Sequence, residues 1–368
     1  MIAWSICGTT HLLASMKLRF SSLDAIRGLA AIAVMLLHYA GLNGLNWLPR
    51  AWMAVDIFFI MSGFVLTHSY AQKIAEGRLD FPAFGKVRLA RLMPLFLVGL
   101  LLGCLSMFYS CRLNGASCAS NIMPAAVWGM FALPYFSDAM WPVGVRIAQY
   151  PFPLNQPAWS LFFELFANLV FFYWILITKN RRLWLVIGLA LLSYVAAYYF
   201  NGSVSGGFGF SNFYVGFPRV TYHFFIGVLI YTQYRKYGFD SKIIAFVSVA
   251  LLMVTFAVDS SLLSMFTLFI LAPFVVLANA RITFDGYAER MCTWLGDISY
   301  PLYIVHWPIF QLLYLFGHLD GLTPATRVLL MGVIAIVLAW PLAIADKILR
   351  ARLSGKSGSV LKVQLEKS

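Results

Sequence analysis

The chain has 368 residues, of which 61% are hydrophobic and only 11% are charged. Soluble domains carry about a quarter charged residues, so this composition excludes an ordinary globular protein and indicates a polytopic membrane protein. The formal net charge of +13 does not indicate a nucleic-acid partner, because the basic residues sit in short loops between apolar stretches, the pattern of cytoplasmic loops on an anionic membrane surface.

The first 20 residues precede the first apolar stretch and are predicted to form an N-terminal cytoplasmic segment. They lack the basic region and the small-residue cleavage site of a secretory signal peptide. Met16, which begins MKLRFSSLDAIRG, would be a more ordinary start of translation than Met1. The first fifteen residues are then either disordered chain or sequence upstream of the true start.

About ten stretches approach the 20 apolar residues that a helix needs to cross a bilayer. The predicted fold is an all-α polytopic bundle, with a membrane domain at 21–350, a tail at 351–368 and both termini cytoplasmic. The expected spans are 25–42, 52–72, 92–110, 157–178, 182–200, 212–234, 241–258, 261–280, 294–316 and 325–348.

The loops alternate in charge, with Lys and Arg concentrated in every second connection, and this pattern places the basic loops in the cytoplasm. Residues 111–156, rich in Pro, Trp and Ser, form the one sizeable outer segment, with room for short interfacial helices. Cys111 and Cys118 fall within it, either as a disulfide or as two unrelated thiols.

The first span, LDAIRGLAAIAVMLLHYA, carries Arg27 and His38 eleven residues apart. That spacing is about three helical turns, so both side chains share one face and lie roughly 16 Å apart. Because a cation and an imidazole are unfavourable in lipid, this face should point into the protein interior. The pair indicates a long anionic ligand that extends from the surface near Arg27 to a buried reaction point at His38.

In VRLARLMPLF, Arg88 and Arg91 lie one turn apart and are expected to open span three at its cytoplasmic end, with Pro94 in the first turn. Arginine at the end of a span is most often an anchor that follows the positive-inside pattern. Guanidinium groups also match phosphate oxygens. With Arg27 at the same membrane level, a phosphate clamp is the slightly favoured interpretation.

Three more ionisable side chains, Asp56, Glu164 and His306, are expected at middle to outer depth on other spans. An intramembrane carboxylate needs a partner. Glu164 is predicted to orient His38, which would make that imidazole a better general base. The alternative is a structural ion pair between Glu164 and Arg219, and Asp56 is the residue that most readily has only a helix-start role. The sequence shows no metal-ligand cluster.

These blocks resemble the acyltransferase-3 family of integral membrane acyltransferases. The resemblance rests on LDAIRG with its later histidine, on the Arg-x-x-Arg pair, and on FFIMSGF, PAWSLFFE and SYPLYIVHWP in the same order, with RVTYHFFIG as a weaker match. It covers about residues 20–350. The departures, Phe162, Phe163 and an aliphatic LMPLF, touch no residue that is given a role.

The resemblance implies a stand-alone O-acetyltransferase of the inner membrane, with no metal and no fused esterase-like domain. Acetyl-CoA would be the donor, and the acceptor a hydroxyl of an exopolysaccharide, O-antigen or lipo-oligosaccharide, lipid-linked or free. The CoA nucleotide would lie near Arg27, Arg88 and Arg91, and the thioester near His38, held by Glu164. The candidates for an acceptor or oxyanion site are His306, Tyr303, Trp159, Ser160, Asp56 and Arg219.

Two other classes of function stay open. Intramembrane His, Glu, Asp and Arg also mark proton-coupled pathways, so a transporter or flippase of a polysaccharide precursor is the main alternative. Against it, the sequence has no convincing inverted repeat and no helices interrupted at matching places. A scaffold in a polysaccharide-assembly complex is the third reading, and it predicts that substitutions at Arg88 and Arg91 are tolerated.

Overall fold

The structure is a computed structural model that describes residues 19–114, 119–137, 149–178, 182–315, 317, 319 and 321–353. Within these residues the chain forms eleven helices and no strand, and each of the ten predicted spans falls on a helix. The helices are α1 (Ser21–Leu42), α2 (Ala51–Ala75), α3 (Phe81–Leu113), α4 (Ala119–Met130), α5 (Gln156–Thr178), α6 (Leu183–Asn201), α7 (Phe213–Tyr237), α8 (Lys242–Ala257), α9 (Ser261–Asn279), α10 (Gly286–Leu315) and α11 (Pro324–Leu353).

Eight of the described helices, all except α4, α8 and α10, are long and apolar enough to cross a membrane. The all-α, multi-pass fold is therefore confirmed. Helix α8 has only 16 residues, and α10 carries Glu289, Arg290 and Asp297 in its first half. Helix α4 occupies the segment in which a short helix was expected. Cys111 near the end of α3 is disulfide-bonded, and Cys118 lies outside the described residues.

Helix α3 begins about three turns before the predicted span. The Asp80 side chain accepts a hydrogen bond from the backbone N–H of Ala83 at 2.9 Å, and Pro82 occupies the first turn, so this start is capped in the usual way. The prediction that Arg88 opens the helix is therefore wrong. Arg88 lies about two turns inside α3, and Pro94 lies well inside the helix rather than in its first turn.

Two ion pairs between loops are consistent with long helices that alternate in direction, when the short helix α4 is not counted as a crossing. Arg50, which follows α1, pairs with Asp259 between α8 and α9 at 2.5 Å. Arg281, which follows α9, pairs with Asp240 between α7 and α8 at 2.5 Å. The loops in each pair must share one side of the bundle, as an alternating chain requires. The assignment of the first side to the exterior and the second to the cytoplasm rests on the charge pattern of the loops.

Glycines bring two pairs of helices into backbone contact. A Cβ atom added at Gly63 of α2 would lie 1.9 Å from the carbonyl oxygen of Phe224 in α7, and one at Gly227 would lie 1.9 Å from that of Ile60. Gly28 of α1 meets α10 in the same way. Close approach through small residues is the usual basis of helix association in membranes, where lipid offers no hydrophobic driving force. These contacts fix α1 against α10 and α2 against α7.

Substitution of Gly63 by Ala should destabilise the bundle, because the new methyl group overlaps backbone atoms of α7 that cannot rotate away. We expect a loss of about 1–3 kcal/mol in the free energy of unfolding, as for other overpacked sites. Thermal melting of the purified protein in detergent measures it. Gly188→Ala on α6, where nothing lies within 4 Å of the added atom, is the matched control. Equal melting temperatures for the two variants would contradict the proposed contact.

Candidate active site

A cavity of about 340 Å³ lies between α1, α2, α3, α5, α10 and α11. Its polar end lies at the start of α1 and about three turns inside α10, next to Asp24 and Asp297. Tyr303 and Ile304 are the last α10 residues that line it, so they mark its inner end. The wall between the two ends is largely apolar, and its side chains include Val55, Phe58, Met61, Val65, Leu92 and Leu161.

Arg27 lines the polar end, so the interior face that helical periodicity predicts for it is confirmed. Its guanidinium donates from Nε to Ser299 Oγ at 2.9 Å and from NH2 to the carbonyl oxygen of Gly296 at 2.9 Å. NH2 also pairs with Asp24 at 3.0 Å. These contacts tie α1 to α10 and aim the guanidinium across the mouth of the cavity.

Arg19 lies at the mouth between two carboxylates. Its Nε is 2.8 Å from Asp24 and its NH2 is 3.3 Å from Asp297, which also accepts a hydrogen bond from Lys347 of α11 at 2.6 Å. Burial disfavours the charge of Arg19, but attraction to Asp24 and Asp297 outweighs it and raises the pKa of this guanidinium. The mouth is thus a cluster of alternating charge in which an anionic ligand would compete for the cations.

Arg91 is a further cation at the cavity, and it differs from the others in having no carboxylate paired with it in the described part of the chain. It lines the cavity one turn along α3 from Arg88, and within the described part of the chain it forms no ion pair. Arg350 of α11 lines the same region but is paired with Asp346 at 2.6 Å. Arg91 is therefore the guanidinium that an anion could engage without breaking an existing ion pair.

Arg88 is buried, with only 3% of its side chain exposed, and its charge is balanced by Glu164 of α5. The NH2 group donates to Glu164 Oε1 at 2.7 Å, and Ser62 of α2 donates to the same oxygen at 3.0 Å. Nε and NH1 of Arg88 have no hydrogen-bond partner among the described residues. Buried donors without partners are unfavourable and rare. Nε and NH1 are thus two buried donors for which the described residues supply no acceptor.

His38 does not pair with Glu164, so that predicted contact is wrong. Its Nδ1 lies 2.9 Å from Nε2 of His306, and the two rings are parallel, with centroids 5.2 Å apart. Nδ1 of His306 lies 3.1 Å from the carbonyl oxygen of Leu302. Glu164 is held by Arg88 instead, about two turns nearer the polar end. The facing surface of α10, which helical periodicity of α1 alone cannot identify, supplies the partner of His38.

The histidine pair lies just beyond the inner end of the cavity and does not line it. Tyr303 lies between the histidine pair and the cavity, with its ring centroid 6.0 Å from that of His306. The Tyr303 hydroxyl and Ser160 Oγ are 2.8 Å apart, and both also contact the carbonyl oxygen of Pro157. Of the predicted oxyanion donors, Ser160 and Tyr303 therefore face the cavity, while His306 is fully buried behind it.

Asp56, Arg219 and Trp159 form a separate cluster on the other flank of α2. Nε and NH2 of Arg219 pair with the two oxygens of Asp56 at 2.8 and 2.7 Å, and NH1 donates to the carbonyl oxygen of Gly206 at 2.7 Å. The rings of Trp52 and Trp159 cover the guanidinium. The partner of Arg219 is thus Asp56 and not Glu164. None of these residues lines the cavity, and the cluster has the satisfied contacts of a structural ion pair.

Several cavity residues were missed from sequence. Asp24 and Asp297 at the mouth resemble ordinary helix-start acids, while Asp346 and Arg350 look like part of a basic tail. Ser62 has no catalytic or binding role predicted from the sequence, but its hydroxyl donates a hydrogen bond to the carboxylate of Glu164. The overlooked signal was the i, i+4 spacing of Asp346 and Arg350, which pairs them on one helical face.

The comparisons of this chain with known proteins agree with one another. The model of an acyltransferase domain matches residues 20–344, nearly the whole chain. Protein 2 in the picA locus of Rhizobium radiobacter is 34% identical over 167 residues, which is 42% of this chain and 82% of that protein. BcsY of Komagataeibacter xylinus, named as a candidate membrane-bound transacylase, is 27% identical over 79% of this chain and 73% of its own length.

A third relative is named for a defined reaction. The peptidoglycan O-acetyltransferase OatA of Listeria monocytogenes is 32% identical over 189 residues, 47% of this chain and 28% of that larger protein. No solved structure is significantly similar to the chain. The relatives therefore bear on the reaction, and the geometry of the site rests on the contacts described above.

Arg88 and Glu164 should be strongly coupled in stability. Arg88→Met or Glu164→Gln alone should lower the free energy of unfolding by about 2–3 kcal/mol, because each leaves one charge in the interior without its partner. The double variant should lose clearly less than the sum. Thermal melting in detergent measures all three. The exposed pair of Arg78 and Glu76 is the control, with coupling below about 1 kcal/mol. Additive losses at Arg88 and Glu164 would show that the pair is not coupled.

Proposed function

Because the chain belongs to the acyltransferase-3 family of membrane acyltransferases, we propose that it transfers an acyl group, acetyl in the simplest case, from cytoplasmic acyl-CoA to a hydroxyl of a cell-surface carbohydrate. The enzyme class, a non-aminoacyl acyltransferase, follows from the family. The observation that carries the proposal further is the cavity, which leads from a cationic mouth to within one helical turn of His306. We place the protein in the cytoplasmic membrane, with the mouth on the cytoplasmic side.

The cavity suits a thioester of coenzyme A. Its volume of about 340 Å³ is at the small end of ligand pockets, so it would take the pantetheine arm while the nucleotide stays at the mouth. The apolar wall between α2, α3 and α5 fits the alkyl parts of the arm. Phosphate oxygens would meet Arg91 and Arg27, since guanidinium forks match phosphate geometry.

The reaction needs a base at the inner end. His38 would accept the proton of the acceptor hydroxyl as the hydroxyl oxygen bonds to the thioester carbonyl carbon. Collapse of the intermediate breaks the carbon–sulfur bond, and the departing sulfur takes the proton back from His38. Tyr303 and Ser160 face the place where the oxyanion would form and could donate to it. The thioester must pass Tyr303 to reach His38, so the Tyr303 side chain is expected to move during turnover.

His38→Ala should abolish acylation of the surface carbohydrate, because removing the general base costs about 10²–10⁴-fold in rate. The measurement is mass spectrometry of surface glycan from cells that express the wild type or the variant, with loss of one acyl unit as the readout. Immunoblotting of membranes checks that the protein is still present. His68→Ala serves as the control for loss of an imidazole, because this part-buried histidine contacts Phe20 and Tyr231 near the mouth end of the cavity and not His38. Unchanged acylation in His38→Ala would refute this mechanism.

Arg91→Gln should raise the KM for acetyl-CoA about tenfold, since a hydrogen bond to a charged group contributes about 1.5 kcal/mol or more. Incorporation of radiolabelled acetyl-CoA into the polysaccharide fraction of membranes gives KM and kcat. Arg112→Gln, an exposed position at the opposite end of the same helix, is the matched control. A KM that is equal in both variants would remove Arg91 from the donor site and favour a cavity that serves another ligand, such as a transported precursor.

A further inference from the structure

The hydrogen bonds of the histidine pair determine which nitrogen of each ring carries a proton. Nδ1 of His306 lies 3.1 Å from the carbonyl oxygen of Leu302, and a carbonyl oxygen can only accept. This Nδ1 must therefore carry the hydrogen, which leaves Nε2 of a neutral His306 with its lone pair. Nδ1 of His38, at 2.9 Å from that Nε2, must then be the donor of the second bond.

The remaining nitrogen of His38 is consequently a free base. With Nδ1 protonated, the lone pair of the neutral ring is on Nε2, which has no partner among the described residues. The His38 side chain is partly exposed, whereas His306 is fully buried and has both ring nitrogens engaged. His306 therefore has no group left for a substrate, and His38 has the basic nitrogen on its accessible side.

We infer that His306 is a positioning residue that holds His38 in the tautomer with a basic Nε2 and stabilises the imidazolium formed during acyl transfer. This inference rests on the proposed function at His38. When Nε2 takes a proton, the bond from Nδ1 of His38 to His306 becomes charge-assisted and stronger. The polarisation continues through the His306 ring to the Leu302 carbonyl, because hydrogen bonds in a chain reinforce one another. His306 thus orients His38, which is the role that the sequence predicted for Glu164.

A neutral partner differs from a carboxylate in its effect on the base. A carboxylate would keep a permanent negative charge beside His38, and within the described residues His38 forms no ion pair. An imidazole adds no net charge to the apolar interior, where an unpaired ion is strongly unfavourable. It still supplies the acceptor that fixes the tautomer. The arrangement therefore orients the base without introducing a buried anion.

The decisive variants differ in whether they retain an acceptor for Nδ1–H of His38. His306→Leu removes it, whereas His306→Gln keeps an amide oxygen that can reach the same hydrogen. Tyr39→Phe is the matched control, because the Tyr39 hydroxyl bonds the backbone carbonyl of His306 at 2.8 Å and its loss disturbs the same helix contact without altering either imidazole. Initial rates with radiolabelled acetyl-CoA, in membranes that contain equal amounts of each protein, give kcat and KM.

We expect His306→Leu to lower kcat about a hundredfold with KM for acetyl-CoA within twofold of wild type, the pattern of impaired acid–base catalysis. His306→Gln should recover at least a tenth of the wild-type kcat, and Tyr39→Phe should stay close to wild type. A kcat for His306→Leu within threefold of wild type would overturn the inference. So would a loss that appears mainly in KM, which would place His306 in the wall of the donor site.

Two further outcomes keep the inference and the proposed function apart. If His38→Ala retains activity, the proposed mechanism fails, whatever His306 does. If His38→Ala is inactive while His306→Leu is active, only the role of His306 fails. Where the leucine variant does not accumulate, His306→Gln carries the test. Retention of kcat supports the positioning role, and a folded glutamine variant as inactive as His38→Ala refutes it.

Discussion

Charge inside a membrane bundle is tolerated only where it is paired, and Arg219 and Arg88 meet this requirement to different degrees. Arg219 directs all three of its nitrogens to Asp56 and Gly206 beneath two indole rings. Arg88 uses NH2 on Glu164 and leaves Nε and NH1 without partners in the described structure. A fully satisfied cation holds helices together. Arg88 lines the cavity and Arg219 does not, so the two ion pairs belong to different parts of the bundle.

The sequence predicted the helices well and their partners poorly, for a physical reason. Helical periodicity identifies which face of α1 carries Arg27 and His38, but it contains no information about which helix covers that face. His38 was therefore assigned to the carboxylate of Glu164, although the neighbouring surface of α10 supplies His306. The start of α3 was misplaced because apolar residues were counted and the capping Asp80 was not.

Helix α10 carries three polar side chains at intervals of three residues, and each reaches a different neighbour. The Tyr300 hydroxyl donates to the carbonyl oxygen of Leu92 at 2.5 Å, Tyr303 meets Ser160, and His306 meets His38. They follow one another along the helix from the apolar wall of the cavity to the histidine pair. The block SYPLYIVHWP thus connects the proposed donor site to the reacting end, and its order in the chain is the order in which a thioester would encounter these groups.

The close contact of α1 with α10 also gives the two helices a common reference point, from which the position of each imidazole follows. An added Cβ at Gly28 would lie 2.6 Å from Leu295, and one at Gly296 would lie 2.6 Å from Asp24, so the parallel helices share a fixed origin near these glycines. From the contact of Gly28 with Leu295, His38 lies ten residues further along α1 and His306 eleven residues further along α10, about 15 Å and about 17 Å along the two axes. One residue inserted into a single helix would shift its imidazole by about 1.5 Å and turn it by about 100°. The contact between the two imidazoles therefore depends on the length of both helices between this point and the histidines.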